Sequence, residues 1–277
     1  MDLYNETCFE CSKLITQKYS TSFSIGIKAF DKKFRYPIYA IYGFVRCADE
    51  IVDTFHQHDK HRLMANFRQE TFNAIGQKIS LNPYLHSFQL IVNEYDISFQ
   101  LIDTFLSSME TDLTKTSHDH ESYKTYIFGS AEVIGLMCLK VFCGDDEQLY
   151  QRLLPGAQSL GAAFQKVNFL RDAKSDYEDR GRTYFPGINF KNFTEDDKRR
   201  IEADIQKDFD AGFEGIKQLP QGTRPGVYIA YMYYLQLFKK ISNTPASMVL
   251  QKRIRVSGTR KISLYCKAVL QQKLKLI

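Results

Sequence analysis

Between Leu160 and Pro186 the chain reads LGAAFQKVNFLRDAKSDYEDRGRTYFP. Taken as a helix, this stretch sets Gly161, Gln165, Asn168, Asp172 and Asp176 at steps of 4, 3, 4 and 4. A glycine, two amides and two carboxylates then share one face, and Ala162, Phe169 and Leu170 on the other side can pack. Aspartates one turn apart repel by roughly 0.2–0.5 kcal/mol in an isolated helix, so such a pair calls for a cation or for water. A second copy lies in YAIYGFVRCADEIVD, where Tyr42, Arg46, Asp49 and Asp53 follow at steps of 4, 3 and 4. Two such helices facing one another would set four carboxylates around a cavity.

Magnesium suits that arrangement. It prefers oxygen ligands, keeps several waters, and is usually held by one or two carboxylates together with substrate phosphates. Two aspartate pairs could hold several ions, enough to neutralise a diphosphate and make it a leaving group. Arg46, Arg171 and Arg182 stand near the acids in sequence and can add charge-assisted hydrogen bonds. Either pair alone would be served by water. Two pairs, each in an otherwise apolar helix and each aligned with further polar residues, favour a site.

The elements that must position these stripes read as helices throughout. The expected spans are 3–20, 36–55 with Pro37 in its opening turn, 59–78, 82–93, 97–113, 121–143, 146–178, 194–218 and 225–242, followed by a basic amphipathic helix with a break at Ser257-Gly258. No strand-like alternation, solenoid repeat or low-complexity tract is present, so the fold class is all-α. No Pro/Gly/Ser linker divides the 277 residues, which read as a single domain over 1–277. In YSTSFSIGI the hydroxyls can cap a helix or meet phosphate oxygens. Small residues recur through 121–143, leaving room for close packing or for a long ligand, and Glu132 in that apolar run wants a partner. His56, His58 and His61, and His118 and His120, read as solvated turns rather than metal ligands.

Net charge is +5, but all 32 acids precede residue 215, whereas 12 of the 37 basic residues follow it. An acidic body with a basic C-terminal region implies an anionic partner: substrate phosphates, a membrane surface or nucleic acid. The six scattered cysteines suggest a reducing compartment. No signal peptide opens the chain, and no apolar run reaches the roughly 18 residues of a membrane span. A cytoplasmic protein, at most peripheral on a membrane, is expected. Nucleic acid is disfavoured because both acidic stripes would repel its backbone.

The same residues resemble the squalene/phytoene synthase family of head-to-head prenyl synthases. YSTSF (19–23), IYGFVRCADEIVD (41–53), YIFGSAEVIGLM (126–137) and the stretch 160–186 match its blocks in order, above all at Gln165, Asn168, Arg171, Asp172, Asp176, Gly181, Arg182 and Tyr184. The resemblance implies a helical bundle of the class I isoprenoid synthase type with a central cavity. It implies Mg²⁺, with Mn²⁺ as an alternative, held by Asp49, Asp53, Asn168, Asp172 and Asp176. Tyr42 and Arg46 are implied in catalysis, and Ser22, Phe23, Tyr126, Gln165, Asn168, Arg171, Arg182 and Tyr184 in substrate binding. Departures are Glu50 where a second Asp is common, Ser175 where an acid is frequent, and Glu132 where glycine is usual. That last change bears on substrate choice. The implied reaction joins two prenyl diphosphates through a cyclopropyl intermediate. Geranylgeranyl diphosphate giving phytoene is the first choice. The alternative is a C30 synthase making dehydrosqualene or squalene from farnesyl diphosphate, with NADPH needed only for squalene. Phe23, Tyr42, Phe44, Tyr126 and Phe164 could face carbocations, and Arg253, Arg255 and Lys261 could close over phosphates or meet anionic lipid.

Overall fold

A computed structural model describes residues 2–178 and 181–273. Arg180 of the stretch 160–186 and Lys275 of the basic C-terminal region therefore lie outside the described residues. The chain runs through α1 (Leu3–Tyr19), α2 (Thr21–Lys28), α3 (Lys32–Asp53), α4 (Lys60–Gln77), α5 (Pro83–Glu94) and α6 (Phe99–Thr111). It continues with α7 (His120–Ile127), a π-helical turn (Phe128–Glu132), α8 (Val133–Cys143), α9 (Glu147–Glu178), a 3₁₀ turn (Phe190–Asn192), α10 (Glu195–Gln218), α11 (Arg224–Ser242), α12 (Ala246–Val249) and α13 (Gly258–Lys273). Among the described residues there is no strand, only an isolated parallel bridge between Ser117 and Thr183. The architecture is all-α, as expected.

Local chemistry sets most helix ends. The side chains of Asp2, Ser20, Asp59, Asn82, Ser98, Asp119 and Thr194 each accept a backbone N–H in the first turn that follows. Of the two roles open to the YSTSF hydroxyls, Ser20 takes the first and caps a short helix, α2. Three expectations change. Helix α3 begins at Lys32, which places Pro37 inside the helix rather than in its opening turn. The stretch 121–143 is interrupted by the π-helical turn, and residues 250–257 are not helical.

One apolar core runs from Phe9 to Ala268. The π-helical turn, α9 and α10 approach closely where side chains are absent. A Cβ on Gly156 would meet the Gly215 Cα at 2.9 Å, and one on Gly161 would meet the Ala131 carbonyl oxygen at 2.9 Å and the Glu132 Cα at 3.1 Å. The helical stretch His120–Cys143 is 24 residues long with a mean hydropathy of 1.6 in its most apolar window, long and apolar enough to cross a membrane. Run length missed this because scattered charges interrupt the run without offsetting its average, but 61% of that window is buried inside the fold.

Candidate active site

Helices α3 and α9 present their polar stripes to one cavity of about 700 Å³. Tyr42, Arg46, Asp49 and Asp53 line it from α3, and Gly161, Gln165, Asn168, Arg171, Asp172 and Asp176 from α9. Arg182 and Tyr184 reach it from the segment after α9, Phe23 from α2, Tyr126 from α7 and Arg253 from the segment after α12. The remaining wall is largely apolar, with Ile38, Ile134, Leu139, Phe142, Leu153 and Ile216 among its residues. The volume lies within the ~300–1,000 Å³ usual for small-molecule sites.

Arginines hold the acids. Arg171 grips Asp172 through Nε–Oδ1 at 3.0 Å and Nη2–Oδ2 at 2.5 Å, and the Arg253 Nε adds a second ion pair at 2.7 Å. Arg46 pairs with Glu50 and reaches Asp49 at 3.9 Å, while its guanidinium lies over the Tyr19 ring at 4.3 Å. Glu50, standing where a second Asp is common, thus positions Arg46. Arg182 donates to the Asp112 carbonyl oxygen at 2.7 Å and to Asp53 at 3.4 Å. Its own backbone N–H donates to the Asp176 carbonyl oxygen at 2.7 Å, so this residue links the two acidic helices, α9 through its backbone and α3 through its guanidinium. Asp176 is 5% exposed.

Asp112, the C-cap of α6, completes the set and was not singled out from the sequence. Its Oδ2 accepts from the Tyr126 hydroxyl at 2.7 Å. Burial pushes its carboxyl up to about 6, against the pull of Arg182 and Tyr126, and Asp53 and Asp176 push it further. Burial likewise raises Asp49 to about 7; Arg46 opposes this, and Asp53, Asp112 and Glu50 add to it. Asp49 still keeps 37% of its side-chain surface open. Acids from α3, α6 and α9 therefore crowd one another, a state that an incoming cation relieves.

The residues fit a divalent ion of the magnesium kind. Among the described residues, no three His, Cys, Asp or Glu side chains converge as a cage. Magnesium shares its coordination with water and phosphate and does not need one. Two buried acceptors, Asn168 Oδ1 and Asp112 Oδ1, have no hydrogen-bond partner among the described residues, as expected of oxygens kept for a ligand. The Asn168 amide is turned by its Nδ2, which donates to Gln165 Oε1 at 3.4 Å, while Gln165 Nε2 donates to Ser130 at 3.5 Å.

Ser22 is corrected. It does not line the cavity, because Phe23, Gly26 and Ile27 take the inward face of α2 and Ser22 stands one position off it. Ser20 lines the cavity instead, with its Oγ accepting the Phe23 N–H at 3.2 Å. Phe44 is also absent from the wall: it is fully buried and stacked on Phe88 at 3.9 Å, plain core. The aromatic faces at the cavity include Phe164 stacked on Tyr234 at 4.0 Å and Phe23 near Tyr42 at 5.8 Å. Tyr184 stacks on Phe169 at 3.9 Å. Glu132 does not line the cavity and instead neighbours Gln158, Lys166 and Asp208.

A helical bundle with facing acidic stripes around an apolar hollow defines the class, the all-α isoprenoid synthase fold. Two solved structures share it. A dehydrosqualene synthase bound to a ligand superposes with a TM-score of 0.81 at 20% identity, over 99% of this chain and 98% of that one. A squalene synthase from Alicyclobacillus acidocaldarius gives 0.74 at 20% identity, over 87% and 95%. At sequence level the squalene/phytoene synthase model matches residues 16–260, and the chain belongs to that family. Among curated relatives, the Arthrospira platensis phytoene synthase is 24% identical over 88% of this chain and 87% of its own length. The maize chloroplastic phytoene synthase 1 is 24% identical over 82% of this chain, which spans 60% of that relative's length.

Proposed function

We propose that this protein joins two molecules of geranylgeranyl diphosphate head to head, giving phytoene through a cyclopropyl diphosphate. The observation that carries this reading is the meeting of both aspartate pairs at one cavity whose remaining wall is largely apolar. That cavity offers a polar end for diphosphates and a dry end for prenyl chains. Mg²⁺, with Mn²⁺ as an alternative, would be held by Asp49, Asp53, Asn168, Asp172 and Asp176, and would supply the charge that lets diphosphate leave.

This chain's own groups do the rest. Arg46, Arg171, Arg182 and Arg253 bind and orient diphosphate oxygens, and Asn168 and Gln165 hold the head-group geometry. Tyr42, Phe23, Phe164 and Tyr234 turn π faces to positive charge developing on carbon, each worth roughly 0.5–2 kcal/mol. The apolar part of the wall limits the water that could trap the cation. Tyr42, pushed up to about 12 by burial and then by Asp49, stays a neutral phenol at working pH.

The reading also brings the protein to a membrane from the cytoplasmic side. Its six cysteines are unpaired, and on α13 the exposed Ile262 and Leu270 stand among Arg260, Lys261 and Lys267, a pattern suited to anionic lipid. The test is incubation with geranylgeranyl or farnesyl diphosphate and Mg²⁺, with and without NADPH, followed by product analysis. We expect a C40 hydrocarbon independent of NADPH. A C30 product from farnesyl diphosphate alone would replace the substrate, and no hydrocarbon from either would sink the reaction.

A further inference from the structure

Beside the main cavity lies a smaller annex of about 230 Å³, lined by Val52, Asp53, His56, Lys60, Leu113, Lys115 and four further residues. Three of its lining residues, Asp53, Asp112 and Arg182, also line the main cavity, so the two spaces meet at Arg182. Its chemistry differs from its neighbour's. Among the described residues that line it, Val52 and Leu113 are the only hydrocarbon side chains apart from threonine methyls; the rest are two lysines, an arginine, a histidine, two threonines and two aspartates.

The cations are placed by the fold. Lys60 Nζ donates to the Val52 carbonyl oxygen at 2.7 Å and meets His56 Nδ1 at 3.0 Å, which sets it at the mouth of the α3–α4 turn. Lys115 comes from the opposite side, on the loop after α6. That loop is tied down where the Thr183 N–H donates to the Thr116 carbonyl oxygen at 2.8 Å, beside the Ser117–Thr183 bridge. Arg182 is fixed by the same strap. An ammonium is a point charge that binds phosphate oxygens well, and among the described lining residues two of them with a guanidinium outnumber the two carboxylates. A prenyl chain finds no apolar wall here, so a ligand of this space is a small polyanion without a tail.

We propose that the annex is a docking site for inorganic pyrophosphate, held by Lys60, Lys115 and Arg182 as the ion leaves the main cavity. This rests on the proposed reaction only for the source of the ion, because each ionisation sheds one pyrophosphate. The binding itself is testable without any prenyl substrate.

Inorganic pyrophosphate is titrated calorimetrically into the full chain in EDTA, which removes divalent-dependent binding at the acids. The wild-type protein is expected to bind one pyrophosphate. The Lys60→Ala/Lys115→Ala variant is expected to bind it at least about 10-fold more weakly, and Lys115→Glu more weakly still. A charge-matched control, Lys207→Ala/Lys239→Ala, bears its changes on exposed positions elsewhere and should bind as wild type does. In turnover assays with Mg²⁺, product inhibition by pyrophosphate should weaken by a similar factor in the lysine variants while KM for the prenyl diphosphate stays within about twofold. Melting curves identify any variant that fails to fold, and Lys115→Glu serves if the double variant does. Wild-type pyrophosphate binding in the folded lysine variants, or equal loss in the control, overturns the proposal. Lysine-dependent binding without hydrocarbon product would leave the annex standing and overturn the reaction.

Discussion

Asp172 is held by two arginines, one beside it on α9 and one from the segment after α12. In the proposed reaction its charge, not its bulk, serves the diphosphate end of the cavity. Asp172→Asn keeps the shape and removes the charge, so turnover should fall about 10²–10³-fold, the size of losing one preorganised electrostatic contact. The melting temperature should stay within a few degrees, because the side chain sits at a cavity wall and the core is untouched. Wild-type turnover in steady-state assays of this variant would refute its role. The aspartates were readable in the sequence because they come in pairs at helical spacing. Asp112 was not, because it is a lone acid at a helix end, and only the fold brings it within reach of Asp53 and Asp176. Ser22 was misjudged for a related reason: a run of hydroxyls gives no sign of which of them turns inward until its helix start is known.

At the scale of elements, α9 is fixed by its neighbours. Lys166, 8% exposed, makes ion pairs with Asp204 at 2.5 Å and Asp208 at 2.7 Å on α10. Glu132, on the π-helical turn, lies by the same group. Burial raises its carboxyl to about 7, Asp208 adds to the rise, and Lys166 and Gln158 oppose it. Below about 4.5, the ordinary value, the group is protonated folded or unfolded. Between about 4.5 and 7 the folded chain keeps a proton that the unfolded chain loses, so stability falls as pH rises through that window. Glu132→Gln removes this dependence. Its melting temperature relative to wild type should rise by about 2–4 °C between pH 5 and pH 8, equivalent to roughly 1 kcal/mol in a chain of this size after discounting for incomplete burial. A difference that is flat across that range in calorimetry would show that the carboxyl titrates normally. Most helices were legible from apolar periodicity and cap residues. The π-helical turn was not, because a single five-residue turn is too short to stand out from the apolar pattern of the helices that flank it. Pro37 misled because proline usually marks a first turn, and here the surrounding core holds it within α3.

Across the whole molecule, charge is segregated along the chain: no acid follows Glu214, and α13 carries basic residues beside exposed Ile262 and Leu270. Attraction of such a helix to anionic lipid amounts to about 1 kcal/mol per basic residue near the surface and is screened within a Debye length of about 8 Å at physiological salt. Co-sedimentation with phosphatidylserine vesicles should therefore be strong at low salt and largely lost at about 0.5 M salt. Replacing Ile262 and Leu270 by serine should weaken it at every salt concentration. Equal sedimentation with neutral vesicles would rule out this surface. The all-α class was legible because nothing in the chain alternates at period two, whereas the meeting of the two acidic helices needed the intervening core to be packed. The π-helical turn ties these scales together. It takes up a surplus residue between α7 and α8 without turning α8; wound as regular α-helix, the same residue would swing α8 by about 100°. Ile134, Gly135, Cys138 and Leu139, which now face the hollow, would rotate off it. The segment thus acts as a phase adjuster that keeps the inward face of α8 in register with the hollow despite the added residue.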